Sequence, residues 1–512
     1  MTSSLIRGKY VICRVTGRTE AEVIADGAVF QRDGTIIDIG THQELARKYQ
    51  PDEVFGSDAH VVLPGLVNSH HHVGLTPFQL GSPDHPLELW FASRMAARNV
   101  DPYLDTLYAA FEMLESGITT VQHLHGWRGG PISRVRDIAE HVLRAYQDIG
   151  MRASYSYALR DQNRLVYEAD AEFVRRVPPR IAPDLAAWLQ AQTIPLQDQL
   201  QLFVDLWERW NRQERIRIQL APANLHWCSD EALKALRDYA AKYRVGLHMH
   251  LLETAFQKEY ARHRTGMTAV RYLEGLGLLG PQMTLGHGVW ATEEDVERVA
   301  ETGTMICHNA SSNLRLRSGV APLNHWTARG VRVALGLDEA GINDDRDMWQ
   351  EMRVVLRLHR VPGMDDVVPT CPQVFQMATE HGALTTGFAD SIGTLAPGKA
   401  ADVVLMKWRQ IAYPYLDQDA PVVDAVVHRG KTSGVETVLV AGEPVLREGQ
   451  FTRLNKADVL ERLAASMRLP LQPEEERRRR LSREVFPYVK GFYAGWLDGQ
   501  ERDPFYDYSS RR

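Results

Sequence analysis

An apolar run ends in consecutive histidines at Pro64-Gly65-Leu66-Val67-Asn68-Ser69-His70-His71-His72. Side chains alternate along a strand, so His70 and His72 point one way and His71 the other. Two imidazoles aimed together from a strand end can hold a divalent transition metal, and zinc, iron, cobalt and nickel all suit them. A second cluster, His248-Met249-His250-Leu251-Leu252-Glu253, offers His250 as a third ligand and Glu253 as a proton carrier reaching the same water. His248, two residues deeper on the same face, reads as a hydrogen-bonded core histidine. Two more apolar runs end in Leu285-Gly286-His287 and Leu335-Gly336-Leu337-Asp338. A carboxylate at Asp338 can complete a coordination sphere or accept a proton from activated water. His287 reads either as part of this site or as a structural histidine. The chemistry these residues suit is hydrolysis by a metal-activated water.

Such residues must be positioned by the elements that carry them. Short apolar runs alternate with helical segments, and the strand candidates are Val61–Ser69, Thr119–Leu124, Arg152–Ala158, Ile216–Ala221, Val245–Leu251, Met283–His287, Thr304–His308 and Val331–Leu337. Most precede segments with helical character, such as Glu231–Tyr243, Glu293–Thr302 and Asp345–His359. Eight strand-helix alternations predict an α/β chain with a (β/α)₈ TIM-type barrel. The stretch from Arg160 to Gln213 is too long for a simple crossover and predicts extra helices. Short strands with turn signals recur at both ends of this region and predict one small composite β domain. The expected organisation is 1–59 with 389–452 as that domain, 60–388 as the barrel and 453–512 as a C-terminal extension. In the extension, Glu474 to Arg480 predicts a solvated helix in which glutamates pair with arginines at i+3 or i+4.

With 512 residues, the chain exceeds what one hydrophobic core organises. A net charge of −6, spread along the chain, argues against nucleic acid as the main partner and suits a small-molecule substrate. The 4 cysteines are far apart, which disfavours a disulfide scaffold or a thiolate metal site. The first residues lack the roughly 7–15-residue apolar core of a signal peptide. No stretch approaches the roughly 20 apolar residues of a membrane span. A soluble, cytoplasmic protein is expected.

The motifs resemble those of the amidohydrolase superfamily, in its branch of aminoheterocycle deaminases and triazine hydrolases. Pro64–His72 is similar to the first-strand motif of that branch, and His250 with Glu253 to its His-x-x-Glu. His287 and Asp338 resemble its sixth-strand histidine and eighth-strand aspartate. Cys307-His308-Asn309-Ala310-Ser311-Ser312-Asn313 and the segment Ser391–Asp402 add to a resemblance that runs nearly the whole length. It implies one divalent metal, zinc first, on His70, His72, His250 and Asp338. It further implies that Asp338 and Glu253 move protons and that His287 hydrogen-bonds water or substrate. A homo-oligomer is implied as well. No lysine ends the third or fourth strand candidate, which disfavours a carbamylated-lysine site with two metals.

The sequence departs from the branch at two places. Ala223 stands where a substrate-contacting histidine is common, and His226 is the candidate to replace it. Glu339, after the aspartate, reads as a contact for a polar or cationic substrate group or as a residue that orients a ligand. Trp90, His123, His125, Trp127, Arg128 and His308 are further pocket candidates. The implied reaction is hydrolytic deamination of an amino-substituted N-heterocycle. The alternatives are cleavage of an amide, urea or thiocarbamate bond, loss of chloride or alkylamine from a ring, or an inactive barrel used for binding.

Overall fold

A computed structural model describes residues 2–126, 129–364 and 367–499. Its strands are β1 (Ser3–Val15), β2 (Ala21–Arg32), β3 (Thr35–Thr41), β4 (Glu53–Pro64), β5 (Leu66–His71), β6 (Ile118–His125), β7 (Arg152–Leu159), β8 (Ile216–Ile218) and β9 (Ala221–Pro222). They continue as β10 (Leu247–Leu251), β11 (Met283–His287), β12 (Met305–His308), β13 (Val333–Leu335), β14 (Val403–Lys407), β15 (Val435–Val440), β16 (Glu443–Arg447) and β17 (Gln450–Phe451).

Two parallel sheets occupy the middle of the chain. One is ordered β5-β6-β7-β8, with β9 paired to β7, and the other β10-β11-β12-β13. Parallel bridges link Leu220 to Leu247 and His71 to Asp338, so pairing passes from one sheet to the next and back to β5. Every residue of β6 and β7 is buried, as expected for parallel strands covered on both faces. Helices supply the outer cover. The helix Glu293–Thr302 starts with a reciprocal cap between Thr292 and Asp295, buries Val296 and Val299, and stops at left-handed Gly303. The long segment after β7 holds the helices Asp170–Arg176, Ala182–Ala191 and Leu196–Trp210, in line with the expected additions.

The split β texture is one eight-stranded sheet, ordered β17-β16-β15-β14-β4-β1-β2-β3. It corrects one strand assignment. Val61–Pro64 pair with Met406–Val403 at the end of β4, and only Leu66–His71 join β6. Gly65 separates the two strands, and a Cβ there would lie 2.1 Å from Thr119 Oγ1, so the apolar run that looked like one strand serves two sheets.

The C-terminal extension forms the helices Lys456–Arg468 and Pro473–Phe492. The second is not the solvated helix expected. Glu475 is buried and accepts from Asn99 N, while Arg478 and Arg479 donate to the carbonyl oxygens of Ala97 and Ala96. Two arginines of the basic run are docked, because carbonyls just past the end of the helix Leu87–Arg94 take their guanidinium donors, while Arg477 and Arg480 stay exposed. Among the described residues, no helix is long and apolar enough to cross a membrane.

Candidate active site

The strand ends bring the sequence-predicted cluster together. His70 and His72 come from the end of β5, His250 from β10, His287 from β11, and Asp338 from just past β13. The Nε2 atoms of His70 and His72 are 3.0 Å apart, those of His72 and His250 3.1 Å, and those of His70 and His250 3.2 Å. Asp338 Oδ1 lies 3.1 Å from His72 Nε2 and 3.8 Å from His70 Nε2. His71, on the other side of the strand, packs near His123 with ring centroids 5.2 Å apart.

The hydrogen bonds behind these rings show what the front atoms are for. His72 Nδ1 donates to the Leu124 carbonyl at 2.5 Å, and His250 Nδ1 to the Ala223 carbonyl at 2.8 Å. A carbonyl can only accept, so each Nδ1 carries the proton and each neutral ring turns a bare Nε2 lone pair forward. Two lone pairs 3.1 Å apart repel unless a cation stands between them. Nitrogens about 2.0–2.1 Å from one ion lie roughly 3.0–3.4 Å from each other, which is the spacing present. Burial, with the neighbouring imidazoles, pushes His70 and His250 well below the ordinary histidine range, favouring the neutral form a metal requires. The donor set fits one divalent ion. His248, expected as a core histidine, bonds His70 Nδ1 at 2.9 Å through Nε2 and orients that ligand from behind. No lysine lines the cavity among the described residues.

Two acidic groups flank the cluster with opposite tendencies. Burial raises the Glu253 carboxyl well above its usual range, and the charges of Asp338 and Glu88 add to the effect. Burial would also raise Asp338, but the closeness of His72 and a hydrogen bond from Ser312 Oγ at 2.6 Å outweigh it and hold the carboxylate low. The surroundings favour the protonated form of Glu253 and the ionised form of Asp338. His287 stands between them, its Nε2 3.7 Å from Glu253 Oε2 and 3.9 Å from Asp338 Oδ2. Its Nδ1 donates to Asn313 Oδ1 at 2.9 Å. Both His287 (φ 73°) and Asp338 (φ 56°) have left-handed backbones, each costing on the order of 1–3 kcal/mol. The Asp338 amide is anchored by the His70 carbonyl at 2.8 Å.

A cavity of about 310 Å³ opens in front of these groups, lined by His72, His250, Glu253 and Asp338. Trp90, His125 and Glu339 also line it. Glu339 is engaged by Arg94 through Oε1, while its buried Oε2 has no hydrogen-bond partner. Two candidates are corrected. His226 is fully buried away from the cavity, its ring 4.0 Å from Tyr167 and 4.3 Å from Trp227, so it cannot stand in for a histidine at Ala223. His308 bonds His359 Nε2 at 2.9 Å and does not line the cavity either. Arg128 and Trp127 lie outside the described residues. Sequence reasoning missed the roles of Ser312 and Asn313, which hold Asp338 and His287 from the motif after β12. It also missed Arg94 and Asn224 in the lining, and nothing in their local pattern marks them.

The fold is of the α/β class, with parallel strands in the middle of the chain. The model of the amidohydrolase family matches residues 61–445, and the chain belongs to that family. It is a hydrolase acting on carbon–nitrogen bonds other than peptide bonds. The chain is 30% identical over 443 residues to the 5-methylthioadenosine/S-adenosylhomocysteine deaminase of Syntrophobacter fumaroxidans, covering 85% of this chain and 92% of that one. An adenosine deaminase from Xanthomonas campestris with bound zinc shares the fold with a TM-score of 0.77 at 22% identity, over 94% of this chain and 99% of its own. The zinc and atraton complex of a mutant atrazine chlorohydrolase from Arthrobacter aurescens does so with a TM-score of 0.79 at 20% identity, over 90% and 99%.

Proposed function

We propose that this protein hydrolytically deaminates an amino-substituted N-heterocycle at a single metal site in the mouth of a closed (β/α)₈ barrel. The observation that carries the reading is the convergence of three Nε2 atoms, those of His72 and His250 bare, with Asp338, and with Glu253 and His287 facing them. The name of the relative as a deaminase and the zinc in the two structural neighbours support it. The residues up to Pro64 with 389–452 would form the β domain, 65–388 the barrel and 453–512 the extension.

His70, His72, His250 and Asp338 would hold the ion, zinc first. When bound, a divalent ion supplies Lewis acidity that brings the pKa of water from about 15.7 toward roughly 7. Asp338 takes a proton from the attacking water through its carboxylate. Glu253 delivers a proton to the ring nitrogen beside the attacked carbon, so that carbon accepts the water oxygen. His287 donates from Nδ1 to Asn313 Oδ1, which leaves Nε2 to face water or substrate. The carbon–nitrogen bond then breaks as the proton on Asp338 goes to the departing amine and the proton of the newly added hydroxyl returns to Glu253, so that ammonia leaves with a ring carbonyl as product. Water is consumed and one ammonia released.

Loss of chloride or alkylamine from a ring is the second reading. Ala223 favours it, since its side chain offers no hydrogen bond to a purine-like ring and its carbonyl is committed to His250. The test is ammonia release from a panel of adenine nucleosides, guanine and aminotriazines by zinc-loaded and chelator-stripped protein. Release that vanishes on stripping and returns with zinc is expected. Chloride or alkylamine release without any ammonia would replace the first reading by the second.

A further inference from the structure

Away from the cavity, two helices from distant parts of the chain bring a second set of metal-ligating side chains together. The helix Cys371–Met377 follows the last of the parallel strands, and the helix Val422–Arg429 lies between β14 and β15. Asp424 and His428 are four residues apart and so share one face of the second helix. His428 Nε2 lies 3.4 Å from Cys371 Sγ, across the junction. One ligand atom each of Cys371, Asp424 and His428 lies within 4.8 Å of the other two. The thiol is buried, Asp424 is half-buried and His428 is exposed, so the group has a closed floor and an open rim. None of the three lines the cavity in front of His72 and His250.

The spacing suits one ion. A sulfur about 2.3 Å and a nitrogen about 2.0–2.1 Å from a tetrahedral zinc stand roughly 3.5–3.6 Å apart, close to the distance present. A thiolate and a carboxylate together balance a divalent charge, and the sulfur selects zinc or cadmium over magnesium or calcium. Burial lowers the His428 ring below its ordinary range, with Arg357, Arg360 and Arg353 adding and Asp424 opposing, which keeps it in the neutral form that binds metal. Burial pushes the Cys371 thiol up to about 12, with Asp424 adding and Arg360 and Arg357 opposing. Coordination removes a thiol proton outright. Arg357 supplies the opposing interaction, its Nη2 3.4 Å from His428 Nδ1. An arginine only donates, so that contact places the ring proton on Nε2, whereas a metal on Nε2 requires it on Nδ1. The ion and Arg357 therefore compete for His428, and Arg357 is exposed, so it can turn out into water.

We infer that Cys371, Asp424 and His428 form an accessory site for a thiophilic divalent ion of the zinc and cadmium class, joining the helix Val422–Arg429 to the helix Cys371–Met377. On binding, the sulfur–hydrogen bond is exchanged for a sulfur–metal bond and the proton passes to solvent. The junction bears on the strand that carries His70 and His72, because Ala378, just past the first helix, accepts from Val67 N of β5 at 2.8 Å. The site does not depend on the proposed deamination.

The test loads stripped, reduced full-length protein with cobalt(II) and follows the near-ultraviolet charge-transfer band of a cobalt–thiolate bond; zinc content is measured in parallel. The native protein is expected to show the band, and Cys371→Ser to lack it and to retain one zinc fewer per chain. His428→Ala and Asp424→Asn, at less buried positions, should keep the fold and weaken cobalt binding at this site by at least about tenfold. Arg357→Ala should tighten binding severalfold, because the competing donor is gone. A band that persists in Cys371→Ser would place the sulfur elsewhere and overturn the inference. So would the absence of a band in the native protein, or binding unchanged in both His428→Ala and Asp424→Asn.

Discussion

Glu253 and Asp338 are both buried carboxyl groups, yet their surroundings drive them apart. Glu253 meets one weak hydroxyl contact, from Ser318 Oγ at 3.4 Å, and like charges from Asp338 and Glu88. Asp338 is held as a carboxylate by donors. The direction of the Glu253 shift has a consequence for rate. The group carries its proton below the raised pKa and loses it above, so protonation of the ring nitrogen fails as pH rises through that value. The native protein should show a loss of kcat on the alkaline side, set at a pH well above the usual carboxylate range near 4.5. Glu253→Gln, which cannot pass a proton, should lower kcat by roughly 10²- to 10⁴-fold with zinc content unchanged, and its residual rate should lack that limb. A pH–rate profile of the two proteins decides this; an identical alkaline limb in the variant would remove Glu253 from the proton path.

At the scale of elements, the strand ends are crowded in a way that explains their glycines. A Cβ on Gly336 would fall 2.4 Å from Asn309 Oδ1 and 2.5 Å from His70 Cβ, and one on Gly286 3.1 Å from His70 Cε1. Leu-Gly-His and Leu-Gly-Leu-Asp are therefore packing motifs as well as chemical ones: the glycine lets β11 and β13 close on the His70 ring. Gly336→Ala should cost about 1–3 kcal/mol by overpacking and displace His70, weakening zinc retention. Urea unfolding and metal analysis check this, and a variant with native stability and full zinc would refute the packing account. The motif after β12 works the same way. Ser312 and Asn313 lie in the first turn of a short helix, Ala310–Arg315, and reach Asp338 and His287.

Across the whole molecule, the parallel strands are tied to the eight-stranded sheet by a buried ion pair. Arg152, at the start of β7, donates Nε and Nη2 to Asp402 at 2.9 Å each, and Asp402 also accepts from Ala441 N. Both side chains are 3% exposed, so removing one partner strands a charge in the interior. Asp402→Ala should lower stability by about 3–5 kcal/mol, measured by denaturant unfolding, with little effect on KM if the protein is assayed folded. A loss below about 1 kcal/mol would mean that the two sheets do not depend on this pair.

The residues of the candidate metal site were legible in the sequence because the signals behind them are local. Period-two alternation separates His71 from its neighbours, and strand ends recur at Glu253, His287 and Asp338. Other features depended on which surfaces meet. The run 61–69 reads as one strand, and only pairing with Met406–Val403 shows that Pro64 closes one sheet before Leu66 opens another. His226 and His308 carry the right chemistry at strand ends, yet aromatic packing and His359 turn them from the cavity. The basic run near Arg478 has the local pattern of a solvated helix. The docking of Arg478 and Arg479 was decided by long-range packing, which placed carbonyl oxygens of residues 96–97 within reach of their guanidinium groups. The sequence by itself determined the donors and their spacing along each strand. Only the tertiary structure decided which donors share a cavity, because that depends on contacts between segments hundreds of residues apart.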